Sequence, residues 1–264
     1  REVKIVARLA HAHIVPIYEV GRTEHCCYVA MEYLPNQNLA SRISEGMKPG
    51  QILKVARDIA SALDVAHQKG YIHRNVKPAN ILFRADGTVV LTDFGVTRPE
   101  NLSHKALPLY LSPEQIRGED VDASCDLYAL GIVLYEMLVG QPPYQGQNAS
   151  EVGRGHLVTA IPRLPANMLV FQRLIDGLLA KQKHDRIQSG KQVVEALDAI
   201  YQVLRQKSGK NHKPAAALVK KPAPISTNDI YNDDTLTRDV LRADVGERKR
   251  TGNESRWITP DMPT

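Results

Sequence analysis

Residues Tyr71 to Gly95 read YIHRNVKPANILFRADGTVVLTDFG. Three side chains, Lys77, Asn80 and Asp93, are set in this stretch by two turns. Lys77 lies two residues past the His-Arg-Asn turn, and Asn80 three residues further on. Apolar runs Ile81–Phe83 and Val89–Leu91, turned by Ala85-Asp86-Gly87, read as a hairpin that returns the chain to Asp93-Phe94-Gly95. An ammonium can neutralise phosphate charge, and an amide oxygen beside a carboxylate offers the hard oxygen ligands that Mg2+ takes. Taken singly, a loop lysine is usually a solvated charge, an Asp before Phe-Gly a turn former, and an Asn after Pro-Ala a loop cap. Together at this spacing they read as one phosphate-and-magnesium site.

Before this stretch, Arg1–Ala10 reads as the end of a helix, with Val3, Val6, Ala7 and Leu9 on one face. Alternating, β-branched and aromatic residues then predict two strands, Val15–Val20 and Cys27–Glu32, joined by a polar turn at Gly21–Glu24. A short helix over Asn38–Ser44 is broken by Lys48-Pro49-Gly50. Gln51–Gln68 is amphipathic, with Ile52, Val55, Ile59, Ala62, Leu63 and Ala66 at three- and four-residue steps and Gly70 to end it. Beyond Gly95, Thr97–Leu109 is a polar loop and Ser112-Pro113-Glu114-Gln115 opens a short helix. Ser124–Leu138 is nearly all apolar, so it is expected to be a helix buried on every side, closed by Gly140. Ser150–Val158, Met168–Leu179 and Lys191–Gln206 are further helical segments. No internal repeat is visible. From Ser208 to Thr264 Lys, Pro, Asn and Asp dominate, which predicts a disordered tail with a transient helix at Thr235–Ala243.

With 264 residues, 43% hydrophobic and 24% charged, the composition is that of a soluble globular chain. The longest apolar stretch, Leu127–Val139, is interrupted by Tyr135 and Glu136 and is too short to span a bilayer. No signal-peptide pattern is present. Of three Cys, Cys26 and Cys27 are neighbours, so no disulfide framework is implied and a reducing, cytoplasmic compartment fits. The net charge of +5 is uneven: from Arg205 onward 12 Lys and Arg face 8 Asp and Glu, against 22 and 21 before it. A basic tail could touch nucleic acid or anionic lipid, but a solvated flexible segment is the ordinary reading, so no nucleic-acid partner is assigned. The chain starts at Arg1 within a helical pattern, which reads as a fragment whose beginning is missing.

The motifs, in this order, resemble the lower part of a eukaryotic-type Ser/Thr protein kinase and are similar in phrasing to bacterial members. The match runs from Arg1 to about Leu204. EVKIVARLAHAHIV resembles the end of the αC helix and the next strand, MEYL the hinge, SPEQ the end of the activation loop, and CDLYALGIVLYEMLVGQPPY the central buried helix. The resemblance implies an α+β, protein-kinase-like fold. A partial strand-rich lobe would cover 1–34, a helical lobe 35–206 and the basic tail 207–264. The glycine-rich loop and strand-borne Lys would lie before Arg1.

It also implies roles. Lys77 would neutralise the transferring phosphoryl group, and Asn80 and Asp93 would ligate Mg2+ beside ATP. The backbone of Glu32 and Leu34 would bond adenine over Leu82. His73 would pack under the Asp93-Phe94-Gly95 turn. Arg74 meets an activation-loop phosphate in the family. The loop here, Asp93 to Glu114, offers Thr97, Ser103 and Ser112 as its Ser and Thr hydroxyls, none where an activating phosphate would sit, so Arg74 is expected to be held by other partners. Glu114 and Arg186 would form a buried ion pair, and Asp126 would anchor the catalytic-loop backbone. Glu2 resembles the αC glutamate, without its lysine. His11 and His13 suggest packing rather than a metal.

Two letters depart from the family. Asn75 stands where kinases carry the Asp that accepts the substrate hydroxyl proton. The amide keeps the shape and one acceptor oxygen but loses charge and basicity. Leu107, in Ala106-Leu107-Pro108-Leu109-Tyr110, stands where a Thr bonds that Asp and the Lys. Both ends of one hydrogen-bonded pair are gone. The first expectation is therefore a pseudokinase, an ATP- and Mg2+-holding domain that works in signalling as a scaffold or regulator of a protein partner. The second is an active or weakly active Ser/Thr kinase acting on protein hydroxyls when full length. The third is a body that positions a basic tail against an acidic partner.

Overall fold

The structure, a computed structural model, describes residues 9–23, 27–94 and 107–210. The expectations for Glu2, Gly95, Thr97, Ser103, Ala106 and everything past Lys210, including the helix at 235–243, lie outside the described residues.

Strands β1 (Ile17–Arg22) and β2 (Cys27–Met31) pair antiparallel, with an irregularity between Ile17 and Glu19. The turn expected from Gly21 is not there: β1 continues through Gly21 and Arg22, which pair with Tyr28 and Cys27. A Cβ at position 21 would run into the Tyr28 ring, so this glycine makes room for an aromatic neighbour instead of bending the chain.

Helix α1 (Leu39–Glu45) is capped by Asn38, whose Oδ1 accepts from the Ser41 N–H at 3.1 Å. Helix α2 (Pro49–Gln68) begins two residues before the expected Gln51. Proline suits the first helical position because its missing N–H would have no partner there, and the Lys48 N–H is satisfied by Gln51 Oε1 at 2.9 Å. Ile52, Val55, Ala56, Ile59, Leu63 and Ala66 are buried on its inner face, and Gly70 leaves the helix at φ 79°.

Strands β3 (Ile81–Phe83) and β4 (Val89–Leu91) form the expected hairpin, with Leu82 opposite Val90. Gly87 turns it at φ 82°, and Asp86 Oδ1 accepts from the Thr88 N–H at 2.8 Å. The chain ahead of β1 joins its edge: Leu91 donates to His13 O at 2.9 Å and Val15 to Leu91 O at 3.0 Å. Thus the segment leading into β1 is stitched to β4, two residues short of Asp93.

Helix α3 (Pro113–Arg117) precedes α4 (Ser124–Val139), which is buried from Ser124 to Leu138. Such a helix gains about 1.5–3 kcal/mol for each large apolar side chain taken from water, and it forms the axis of the core. α5 (Ala149–Val158) follows, capped by Asn148. The single helix expected over Met168–Leu179 is two pieces, a 3-10 turn at Ala166–Phe171 and α6 (Gln172–Leu178). α7 (Gly190–Lys210) runs past the expected end at Gln206. At its start Gly190 lies against the carbonyl of Ala60 on α2, too close for any side chain. Arg186 and Glu114 tie the approach to α7 to α3. Among the described residues no helix is long and apolar enough to cross a membrane. The helix-rich body with two small sheets is the kinase-like, α+β architecture expected from the motifs.

Candidate functional site

The loop of residues 71–77 is held from beneath by one carboxylate. Asp126, in the first turn of α4 and 1% exposed, accepts from the backbone N–H of His73 through Oδ2 and of Arg74 through Oδ1, both at 2.7 Å. His67 Nε2 meets the same Oδ2 at 2.8 Å. Held this way, Arg74 adopts φ 68°, a left-handed conformation that non-glycine residues seldom enter and that surrounding structure must enforce. Its carbonyl accepts from Gln115 Nε2 at 3.1 Å. Asp126 and Gln115 are thus partners that hold Arg74 in place of a phosphate, while its Nε is buried and has no hydrogen-bond partner among the described residues.

His73 connects this loop to the strand end. Its Nε2 lies 2.7 Å from Thr92 O, and its ring sits 4.4 Å from that of Phe94. A carbonyl can only accept, so Nε2 carries the proton, and Nδ1 accepts from the Asn75 N–H at 3.2 Å. Burial pushes the His73 pKa below its ordinary value, against the opposing pull of Asp126, which keeps the ring in this neutral form.

Asn75, Asn80 and Asp93 are drawn together by further bonds. Asn80 Nδ2 donates to Asn75 O at 2.9 Å. Asn80 O accepts from Thr92 N at 2.9 Å and Thr92 Oγ1 at 3.2 Å, placing Asn80 against the residue before Asp93. Asp93 itself is at φ 65°. Arg74 and Asp93 are thus the two non-glycine residues with positive φ among those described. Lys77 is half-buried and opens the 3-10 turn Pro78–Asn80, its carbonyl accepting from Asn80 N at 3.0 Å.

Three buried carboxylates have partners. Asp126 is taken up by the backbone, Glu114 by Arg186, and Glu136 accepts from the Tyr110 hydroxyl at 2.8 Å. Leu107 contributes a carbonyl to Leu109 N at 2.9 Å, and its apolar side chain has no bond to give.

At the hinge, Glu32 N donates to Pro16 O at 3.1 Å. Leu34 is half-buried, and Leu82 lies on the face of β3 opposite the buried Ile81 and Phe83. The Glu32 carboxylate is gripped by Arg84, with Nε to Oε1 at 2.8 Å and Nη2 to Oε2 at 2.7 Å. The sequence carried no sign of this pair, because 52 residues separate the partners. A cavity of about 360 Å³ opens beside it, with Glu32, Leu34, Arg84 and Asp86 among its lining.

The donor set suits a nucleotide-borne magnesium ion. With Asn80 Nδ2 spent on Asn75 O, the amide oxygen is the atom left for a cation, and Asp93 adds a carboxylate. Among the described residues no cluster of three His, Cys, Asp or Glu could hold a metal alone. Mg2+ commonly takes one or two protein oxygens, with waters and phosphates completing its shell.

These features define a protein kinase, and the chain belongs to that family: the protein kinase domain matches residues 1–201. It is similar to the serine/threonine-protein kinase PknB of Mycobacterium leprae, 32% identical over 280 residues, covering 98% of this chain and 44% of that protein. PknB of Mycobacterium tuberculosis is 40% identical over 172 residues, 60% of this chain and 28% of its own. A protein of Clostridium acetobutylicum named "Probable serine/threonine-protein kinase" is 33% identical over 253 residues, 89% of this chain and 38% of its own. The chain therefore spans less than half the length of these bacterial relatives.

Proposed function

We propose that this chain is a nucleotide-holding protein kinase domain impaired in phosphoryl transfer, a pseudokinase or very slow Ser/Thr kinase acting in signalling on a protein partner. Asp93 and Asn80 would hold Mg2+, Lys77 would meet the phosphates, and the backbone of Glu32 and Leu34 would receive adenine over Leu82. Bound Mg-ATP would supply the transferable phosphoryl group and the cation that neutralises its charge.

The observation that carries this reading is the contrast at the loop. The backbone of Arg74 is clamped in a left-handed turn, and Asn80 is bonded to Asn75 O, yet position 75 presents an amide. An amide can orient an incoming hydroxyl but cannot take its proton, and a positioned general base contributes about 10²–10⁴-fold. Because the transition state of phosphoryl transfer is loose, alignment by the remaining groups leaves room for slow turnover. Adjacent Cys26 and Cys27 and the free, buried Cys125 suit a reducing, cytoplasmic setting.

The test is transfer of labelled γ-phosphate from ATP to a generic Ser/Thr substrate, native against Asn75→Asp. Native transfer at rates ordinary for kinases overturns the impaired reading and leaves the active kinase. Thermal shift with ATP, with and without Mg2+, separates a nucleotide-holding domain from an empty one.

A further inference from the structure

Arg84 lies at the end of β3, outside every position that the kinase motifs assign. Its guanidinium makes three hydrogen bonds to two segments distant in sequence. Nε and Nη2 form a two-pronged bond to the Glu32 carboxylate at 2.8 and 2.7 Å, and Nη1 donates to Ala12 O at 2.7 Å. One planar group thus joins the β3–β4 hairpin, the hinge and the segment that enters β1. Arg84 and Glu32 side chains are 25% and 24% exposed, so the pair is partly shielded. Two-pronged geometry separates it from the exposed single contacts that add little. Glu32 is otherwise fixed by its N–H to Pro16 O, so both its main chain and its side chain are held.

We infer that Arg84 is a positioning residue for adenine recognition: it fixes the hinge backbone at Glu32–Leu34 relative to Leu82, which sits two residues before Arg84 itself. This rests on the nucleotide-holding reading above. The physical reason is pre-organisation. Backbone groups have no side-chain freedom with which to search for a purine edge, so their alignment must exist before the ligand arrives. Linking β3, which bears Leu82, to the strand end that bears Glu32 sets the spacing between the two walls of the purine slot. Neutralising Glu32 would release one wall, and truncating Arg84 would release both tethers at once.

The experiment compares native protein, Arg84→Met, Arg84→Lys and Glu32→Gln in two measurements. The first is hydrogen exchange without ligand. Amides of residues 32–34 should exchange faster in Arg84→Met and Glu32→Gln, while those of α4 stay unchanged. The second is binding of adenosine, ATP with Mg2+, and tripolyphosphate with Mg2+. Adenosine and ATP should weaken about tenfold in Arg84→Met, less in Arg84→Lys, and tripolyphosphate should not change. Equal weakening of tripolyphosphate, or no change in adenosine affinity, overturns the inference. If native protein binds no adenosine or ATP, the proposed function fails, and the exchange result still decides whether Arg84 sets the hinge: unchanged exchange at 32–34 sinks it. Glu32→Gln keeps shape and volume, so it decides the question if Arg84→Met does not fold.

Discussion

Arg186 and Glu114 meet through two parallel hydrogen bonds of 2.6 Å, with side chains 0% and 3% exposed. Burial, the strongest single influence on the Glu114 carboxyl, pushes its pKa up, but the bonds from Arg186 and its neighbours outweigh it and the net shift is downward. The charged pair is therefore what the fold contains. Arg186→Met leaves the carboxylate buried and alone, and is expected to destabilise the protein by about 3–5 kcal/mol in urea titration. Adding Glu114→Leu should recover much of that loss, because two apolar groups leave no stranded charge.

Asp126→Asn is expected to cost about 1.5–3 kcal/mol. The amide keeps one acceptor oxygen where the carboxylate now receives the N–H groups of His73 and Arg74 on separate atoms. Native-state hydrogen exchange should show these two amides losing protection before those in the middle of α4.

Stability should fall on mild acidification. Burial first, then Lys181, push the His156 imidazole from 6.5 down to about 3, against the carbonyls of Leu109 and Pro108. His73 is shifted the same way. The unfolded chain binds the His156 proton from the ordinary pKa downward, and the folded chain binds it only near the lowered value. Stability is thus lost as pH drops through the interval between the two values, by at most about 1.4 kcal/mol per pH unit for this group. His156→Gln should flatten the slope between about pH 6 and pH 4 in denaturant titrations at a series of pH values.

Asn75→Asp is expected to raise phosphoryl transfer by roughly 10²–10⁴-fold, with a change in folding stability within about 0.5 kcal/mol. Joining it with Leu107→Thr should raise the rate further, since the hydroxyl restores a partner for the new carboxylate. Single-turnover transfer and urea midpoints, measured on the same preparations, check both halves of this expectation.

Local chemistry made much of this fold readable. The apolar run of α4, the Asp86-Gly87 turn and Gly70 at the end of α2 each act within a few residues, where periodicity and turn preference operate. Where distant neighbours decided the outcome, the reading slipped. Gly21 is a strand residue because Tyr28 lies across it, and Arg84 is a clamp because Glu32 arrives from another part of the chain. Lys77, Asn80 and Asp93 could be named from spacing, but the bonds that draw Asn80 to both Asn75 and Thr92 are tertiary facts.

Asp126, an acid of α4 distant in sequence, holds the backbone of His73 and Arg74 in the catalytic loop. Architecture and chemistry are consequently mounted on different side chains. On the proposed reading, an amide at position 75 leaves the support that Asp126 gives the loop in place. Under the proposed function, such a body would keep the shape that meets a partner while its chemistry faded.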